Sequence, residues 1–281
     1  MIDGHVHFWR LARGVNTALT PDMTAIYRDV EPDELRPILD EFGFSAAIAV
    51  QASETLGENL FMAGLARRYP WIAGVVGWAD PGAPSIAEDL AGLRALSGVV
   101  GLRPVRDDNR SIRWMLDPSL WPGWAEIAAS GLPIDLLVQD WRELDVVKAM
   151  AEAFPETRLV LDHCGKPDIL GSQFDDWAAH ITRIAGHSNT FCKFSGLATG
   201  MTTDRIVPFA HHVIDSFGAD RLIWASDWPP LDLAASYAEW IALSQKLLAD
   251  LSDKEHIAIW HGTAEKVYGL CVPQETGEPP A

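Results

Sequence analysis

The chain has 281 residues, of which 48% are hydrophobic and 22% are charged, so it contains enough apolar side chains for one large buried core. Its formal net charge of −17 argues against nucleic acid or an anionic membrane as a partner, because both require a basic face. Three cysteines do not make a disulfide framework, and neither a secretory leader nor a membrane span is recognisable, which predicts a cytoplasmic protein.

Short β-rich segments alternate with amphipathic segments along the whole chain. Eight strands with a helix after each predict a closed parallel (β/α)8 TIM barrel, a single α/β domain over residues 1–270. The Pro- and Glu-rich residues 271–281 are predicted to form a disordered tail, and the long connection 9–30 should lie over the C-terminal face of the barrel. The predicted strands are 2–8, 45–51, 72–77, 99–103, 133–138, 159–163, 190–195 and 222–227, and the predicted helices are 33–42, 60–69, 86–96, 124–130, 143–154, 175–185, 204–217, 233–249 and 263–268.

His5 and His7 end the first predicted strand, and Asp227 ends the last. Residues two apart on a strand share a face, so both imidazoles point the same way, about 7 Å apart along the backbone. In a closed barrel the last strand lies beside the first, which brings the carboxylate to the histidine pair. The alternatives are two unrelated polar residues at a strand end and, for Asp227, a helix N-cap.

Two further strand ends carry candidate site residues. His163 ends strand six, and alternation places it on the same face as Leu159 and Leu161, which we expect to be the inner face, with Asp162 outside as a structural carboxylate. Arg103 ends strand four, where its guanidinium either holds a substrate oxygen or forms a salt bridge at the rim.

Lys193 lies deeper on strand seven and should be buried, so it either binds a substrate oxygen or pairs with a core acid. Gln51, at the end of strand two, is a second candidate for binding substrate hydroxyls. Four tryptophans follow strands and could form the wall of a pocket for a sugar-like ligand: Trp9, Trp78, Trp141 and Trp228. No Gly-x-Ser-x-Gly or His-Glu-x-x-His motif is present.

Five segments together resemble the amidohydrolase superfamily, in its amidohydrolase-2 branch: IDGHVHFW (2–9), GLRP (101–104), LDHCGKP (161–167), KFSGL (193–197) and SDWP (226–229). The resemblance covers almost the whole chain and is strongest to the sugar-lactonase subgroup of L-fuconolactonases and L-rhamnonolactonases, related to 2-pyrone-4,6-dicarboxylate lactonases. It implies that Asp227 is the general base on water, that His5, His7 and His163 surround the scissile carbonyl, and that Arg103 holds the substrate.

The resemblance does not decide whether the site binds a metal ion. Strand five has no histidine and strand four ends in Arg103, which argues against the binuclear centre of many superfamily members. One divalent ion, with Zn²⁺ favoured, on His5, His7 and Asp227 is one alternative, and metal-independent hydrolysis is the other.

The resulting hypothesis is hydrolysis of a small-molecule lactone. Few arginines lie near strand ends (Arg103, then Arg106 or Arg113), which favours a sugar lactone over a dicarboxylate lactone. The rival hypotheses are a zinc-dependent decarboxylase of the same superfamily and a non-catalytic ligand-binding barrel.

Overall fold

The computed structural model describes residues 1–270 except 15, 17, 107–110, 172 and 199–201. The predicted tail at 271–281 therefore lies outside the described residues. Eight parallel strands form one sheet in the order β1 to β8, each followed by helical structure, which confirms the predicted (β/α)8 barrel. None of the described helices is long and apolar enough to span a bilayer.

The strands are β1 (Ile2–Val6), β2 (Ala46–Val50), β3 (Ile72–Gly77), β4 (Val99–Leu102), β5 (Ile134–Leu136), β6 (Leu159–Leu161), β7 (Thr190–Phe194) and β8 (Leu222–Trp224). The helices are α1 (Pro32–Glu41), α2 (Leu56–Arg68), α3 (Ile86–Ala95), α4 (Trp121–Ala129), α5 (Leu144–Ala153), α6 (Phe174–Ala185), α7 (Thr203–Phe217), α8 (Tyr237–Leu247), α9 (Asp253–Ile257) and α10 (Thr263–Tyr268). A π-helical turn, Ala258–Gly262, joins the last two helices. Of this final helical segment, the sequence predicted only α10.

The alternation of side chains on the strands divides the core into two layers. On β2, Ala47 and Ala49 pack in the large cluster that contains the helices α1 to α8, whereas Ile48 and Val50 belong to a smaller cluster inside the ring of strands. Tyr268 of α10 packs in this inner cluster. The last helix therefore closes the interior of the barrel.

The ring closes between β1 and β8 through few backbone contacts. One isolated bridge joins Val6 to Trp228, and the amide of Asp227 donates to the carbonyl of His5 at 3.0 Å. The buried carboxylate of Asp3 adds a side-chain link, because its Oδ1 accepts a hydrogen bond from the amide of Ser226 at 2.9 Å. We call this set of contacts the β1–β8 junction.

Candidate active site

The β1–β8 junction brings Asp227 against the histidine pair of β1. Asp227 Oδ1 lies 3.6 Å from His5 Nε2 and 3.5 Å from His7 Nε2, and the two Nε2 atoms are 3.0 Å apart. These distances agree with the convergence that ring closure requires. The three side chains come from the two ends of the chain, and they meet at the C-terminal ends of the strands, where barrel enzymes have their active sites.

The partners of His7 fix its tautomer. Its Nδ1 lies 2.8 Å from the carbonyl oxygen of Val50, so this nitrogen must carry the proton and donate it. Nε2 of the neutral ring is then unprotonated and faces His5 and Asp227 as a ligand or acceptor. On the other ring, His5 Nδ1 lies 2.9 Å from Lys193 Nζ and 3.5 Å from Asp162 Oδ1.

The donor atoms of His5, His7 and Asp227 fit one divalent ion. They form a group of ligand atoms within 4.8 Å of one another. A point equidistant from the three atoms lies about 2.0 Å from each, which is close to the Zn–N and Zn–O bond lengths. Two imidazoles and a carboxylate are also a donor set that zinc accepts, with further coordination positions open.

Burial and the neighbouring charges determine the ionisation of this group. Burial lowers the pKa of His5 well below its ordinary value, and the charge of Lys193 lowers it further; burial also lowers the pKa of His163. Burial alone would raise the pKa of Asp227, but the surrounding imidazoles outweigh it and hold that pKa well below its usual range. At neutral pH, neutral rings at His5 and His163 beside an ionised Asp227 are therefore expected.

His163 reaches the site through an unusual turn. β6 ends at Leu161, and His163, Cys164 and Lys166 then adopt left-handed backbone angles with φ of 53°, 51° and 46°. His163 Nδ1 lies 2.9 Å from Ser195 Oγ, and its Nε2 lies 3.8 Å from Asp227 Oδ2.

The alternation argument for strand six was wrong. Leu159 and Leu161 pack in the outer cluster and Val160 in the inner one, so Asp162 points into the barrel and not outward. His163 still faces the site because the chain leaves the extended conformation before it, and a period of two no longer applies.

A fully buried ionic cluster lies beneath the histidines. Lys193 Nζ contacts Asp135 Oδ2 at 2.5 Å, Asp162 Oδ1 at 3.1 Å and His5 Nδ1 at 2.9 Å. Lys193 therefore pairs with core acids, which corrects its prediction as a substrate-binding residue. Its depth on β7 leaves its ammonium below the imidazoles, out of reach of the cavity.

Gln51 and Arg103 form the next part of the floor. Arg103 donates from one guanidinium nitrogen to the carbonyl oxygen of Gln51 at 2.6 Å, and Gln51 Nε2 donates to the carbonyl oxygen of Arg103 at 3.0 Å. Gln51 is only 1% exposed and does not line the cavity above, so its prediction as a substrate contact was wrong: its amide is used in positioning Arg103. Arg103 does line that cavity.

A cavity of about 370 Å³ opens above Asp227. The connection after β1 supplies an apolar wall, and the loops after β4 to β6 supply polar groups. The described lining residues are His7, Trp9, Asn16, Ala18, Leu19, Met23, Ile26, Ala52, Arg103, Leu137, Gln139, His163, Lys166, Asp227, Pro230 and Leu233. The polar residues Asn16, Gln139 and Lys166 were not predicted, because they lie in loops, where strand alternation carries no information; the motif LDHCGKP was the only signal for Lys166.

Of the four predicted wall tryptophans, only Trp9 lines the cavity among the described residues. Trp78 donates its indole N–H to the carbonyl oxygen of Val105 at 2.9 Å. Trp141 is 7% exposed and Trp228 is 2% exposed, and both pack into the core. These three predictions were wrong, because a large aromatic side chain that follows a strand can pack beneath the loops as readily as it can line the cavity.

Comparison with known proteins gives consistent matches over most of the chain. A family model described as Amidohydrolase matches residues 2–270. An L-fucono-1,5-lactonase of Burkholderia ambifaria is 36% identical over 248 residues, which cover 86% of this chain and 85% of that protein. An L-fucono-1,5-lactonase of Burkholderia multivorans is 34% identical over 290 residues, covering 98% and 97%. A crystal structure of an amidohydrolase from Burkholderia multivorans with bound zinc matches with a TM-score of 0.89 at 34% identity, covering 96% of this chain and 99% of that one.

Proposed function

Because this chain belongs to the amidohydrolase family, we propose that it hydrolyses a lactone, specifically an aldono-sugar lactone, to the hydroxy acid. The observation that carries the proposal is the placement of the Asp227 carboxylate against three imidazoles at the floor of an open cavity. The two L-fucono-1,5-lactonase relatives support the substrate class.

Asp227 is the general base of this proposal. Its low pKa keeps the carboxylate ionised at neutral pH, and it faces the cavity, so it can take a proton from water as the water attacks the lactone carbonyl. His163 Nε2 lies 3.8 Å from Oδ2, beyond hydrogen-bonding distance, and lines the same cavity. The guanidinium of Arg103 lies at the cavity floor, where it stabilises negative charge that develops on the carbonyl oxygen.

His5, His7 and Asp227 would hold one divalent ion, and Zn²⁺ fits the spacing of their donor atoms. The related structure from Burkholderia multivorans contains zinc, which supports this assignment. When bound, the ion supplies Lewis acidity to the lactone carbonyl.

The cavity suits a ligand with one apolar and one polar side. Leu19, Met23 and Ile26 form an apolar wall, whereas Gln139 and Lys166 offer hydrogen bonds on another side. A sugar lactone has hydroxyl groups for the polar side and C–H surfaces for the wall. Arg106 and Arg113 bind Asp80 and Asp145 at the surface, so they do not add the carboxylate clamps that a dicarboxylate lactone would need.

A pH-indicator assay on sugar, muconate and pyrone lactones, before and after chelation and with Zn²⁺ added back, tests the proposal. We expect acid release from an aldonolactone, and Asp227→Asn should lower kcat by at least about 10³-fold without a change in the circular dichroism spectrum. The matched control is Asp232→Asn, in the same loop but outside the cavity, which should retain wild-type activity.

Three results would contradict the proposal. Full activity of Asp227→Asn on the preferred lactone would remove the general base. Carbon dioxide release from an unsaturated acid, without lactone hydrolysis, would indicate a decarboxylase. Tight lactone binding without turnover would indicate a binding protein.

A further inference from the structure

Left-handed backbone in residues other than glycine is confined to one place in the described part of the chain. The residues with positive φ are His163, Cys164, Lys166 and Asp227, and all four lie at the candidate active site or in the turn that forms it. This conformation is unfavourable for side chains with a Cβ and persists where the surrounding structure enforces it, often at functional sites. Two of these residues already have a proposed role, and Lys166 does not.

The turn places Lys166 beside His163. With Gly165 at φ 67°, residues 163–166 form a left-handed turn that is closed by a hydrogen bond from the Lys166 amide to the His163 carbonyl oxygen at 2.9 Å. A turn closed between residues i and i+3 brings those two residues to the same side. Both side chains accordingly line the cavity.

Lys166 differs from Lys193 in its partners. Lys193 Nζ contacts two carboxylates, as a buried cation normally does. For Lys166 the partner found within the described ranges is the neutral amide oxygen of Gln139, at 3.2 Å from Nζ, and no described carboxylate oxygen lies within 4 Å of it. The ammonium has three N–H donors, so it retains donor capacity for a ligand in the cavity.

The contact with Gln139 also fixes the side of the cavity on which Nζ lies. Gln139 follows β5, which lies opposite β1 in the ring of eight strands. A lactone in the cavity would thus lie between the carboxylate and imidazoles of the β1–β8 junction and the ammonium across from them. Burial lowers the pKa of Lys166 and the nearby Arg103 lowers it further, although Asp227 opposes this; a lower pKa makes the ammonium a better proton donor.

We propose that Lys166 is a catalytic residue that protonates the leaving ring oxygen of the lactone; this inference rests on the function proposed above. Water bonds to the carbonyl carbon as Asp227 takes its proton, and the carbonyl electron pair moves onto oxygen. When the carbonyl re-forms, the bond from carbon to the ring oxygen breaks, and its electron pair stays on that oxygen, which takes a proton from Nζ. The neutral amine regains a proton from Asp227 through water, so the sum is the addition of one water molecule.

Leaving-group dependence tests the proposal. An alkoxide needs a proton to leave, whereas a phenoxide, with a pKa of about 10, leaves without one. We expect Lys166→Met to lower kcat about 10²- to 10³-fold on an aliphatic aldonolactone but less than about 10-fold on dihydrocoumarin, an aryl lactone. Lys166→Arg should show the same selective loss, because arginine keeps the charge but does not release a proton in proteins.

The control variant is Lys148→Met, which removes a surface lysine of α5 that pairs with Glu152; it should behave as wild type on both substrates. If the wild type hydrolyses sugar lactones but not dihydrocoumarin, chemical rescue gives a second measurement. The kcat of Lys166→Ala should rise when an alkylammonium ion is added, and the rise should be steeper for alkylammonium ions of lower pKa. An equal loss on both lactones, no loss, or no dependence of rescue on acidity would overturn the role of Lys166. Inactivity of the wild type on all lactones would overturn the proposed function itself, and this role with it.

Discussion

Gly196 holds the His163 turn in place, and its replacement by alanine should separate the cost of backbone strain from the cost of displacing His163. Gly196 follows β7 with φ 72°, and a Cβ there would lie 2.6 Å from His163 Cβ. Gly131, between α4 and β5, has nearly the same φ of 73°, but a Cβ there would have no atom within 4 Å. Gly131→Ala is therefore a matched control that introduces the backbone strain of a left-handed alanine without a steric contact.

The two variants should differ in stability by the cost of the close contact. A left-handed alanine costs about 1–2 kcal/mol, and an extra methyl group in a packed site costs a further ~1–3 kcal/mol. With about 2 °C of Tm per kcal/mol for a chain of this size, we expect Tm to fall by about 2–4 °C in Gly131→Ala and by about 4–10 °C in Gly196→Ala.

The activity difference should be larger than the stability difference. Restoring an ordinary contact distance requires His163 to move by close to 1 Å, and a displacement of that size can reduce the rate by about 10²-fold. We therefore expect kcat/KM on the preferred lactone to fall by about 10- to 100-fold in Gly196→Ala and to be unchanged in Gly131→Ala at a temperature where both are folded. Equal Tm and equal kcat/KM for the two variants would refute the reasoning that the glycine makes room for His163.

Three further changes test the buried charges and the metal ligands. Lys193→Met removes the ammonium that Asp135 and Asp162 share, and of the two only Asp162 keeps another cation among the described residues, Arg103 at 3.5 Å. Thermal unfolding at pH 7 should therefore show a loss of about 3–5 kcal/mol in the free energy of unfolding. The loss should shrink at pH 5, where the carboxylate left without a cation takes up a proton; an equal loss at both pH values would contradict this. Burial raises the pKa of Asp3 to about 6 from 3.8, so its contribution to stability is complete below about pH 4 and is lost as the pH rises through 6. Between pH 7 and pH 4 the free energy of unfolding of the wild type should therefore rise by roughly 2–3 kcal/mol relative to that of Asp3→Asn. A difference in Tm between the two proteins that does not depend on pH would exclude that shift. His7→Gln should weaken zinc binding, measured by competition with a chromogenic chelator, by at least about 10-fold, and an unchanged affinity would remove His7 from the ligand set.

The sequence predicted those features that depend on strand alternation and on ring closure. His5, His7 and Asp227 lie where a closed eight-stranded ring places them, and all eight strands are present. Several predicted strands were too long at their C-terminal ends: β6 ends at Leu161 and β8 at Trp224. At these strand ends the chain leaves the extended conformation, and this turns its side chains toward the site. A hydrophobic pattern with a period of two does not predict where that change occurs.

Side-chain direction was the least predictable property. The alternation on β6 has the opposite phase from the one expected, so Asp162 points into the barrel, and only the left-handed turn after it brings His163 to the site. The depth of Lys193 decided that it pairs with acids instead of facing the cavity. Both outcomes depend on three-dimensional neighbours that are distant in sequence, such as Gly196 and Asp135. Lys166 was missed for the same reason, because only the turn brings it to the cavity.

The β1–β8 junction implies that a ligand of this site would act on the barrel as a whole. An opening of the ring at this junction, which has few backbone contacts, would pull the carboxylate away from the imidazoles. A metal ion or an inhibitor that contacts both the carboxylate and the imidazoles would link the first and last strands of the sheet. Its binding energy would then add to the stability of the entire fold, by about 2.7 kcal/mol at a concentration of 100 Kd, so that a rise in melting temperature could identify ligands before any turnover is detected.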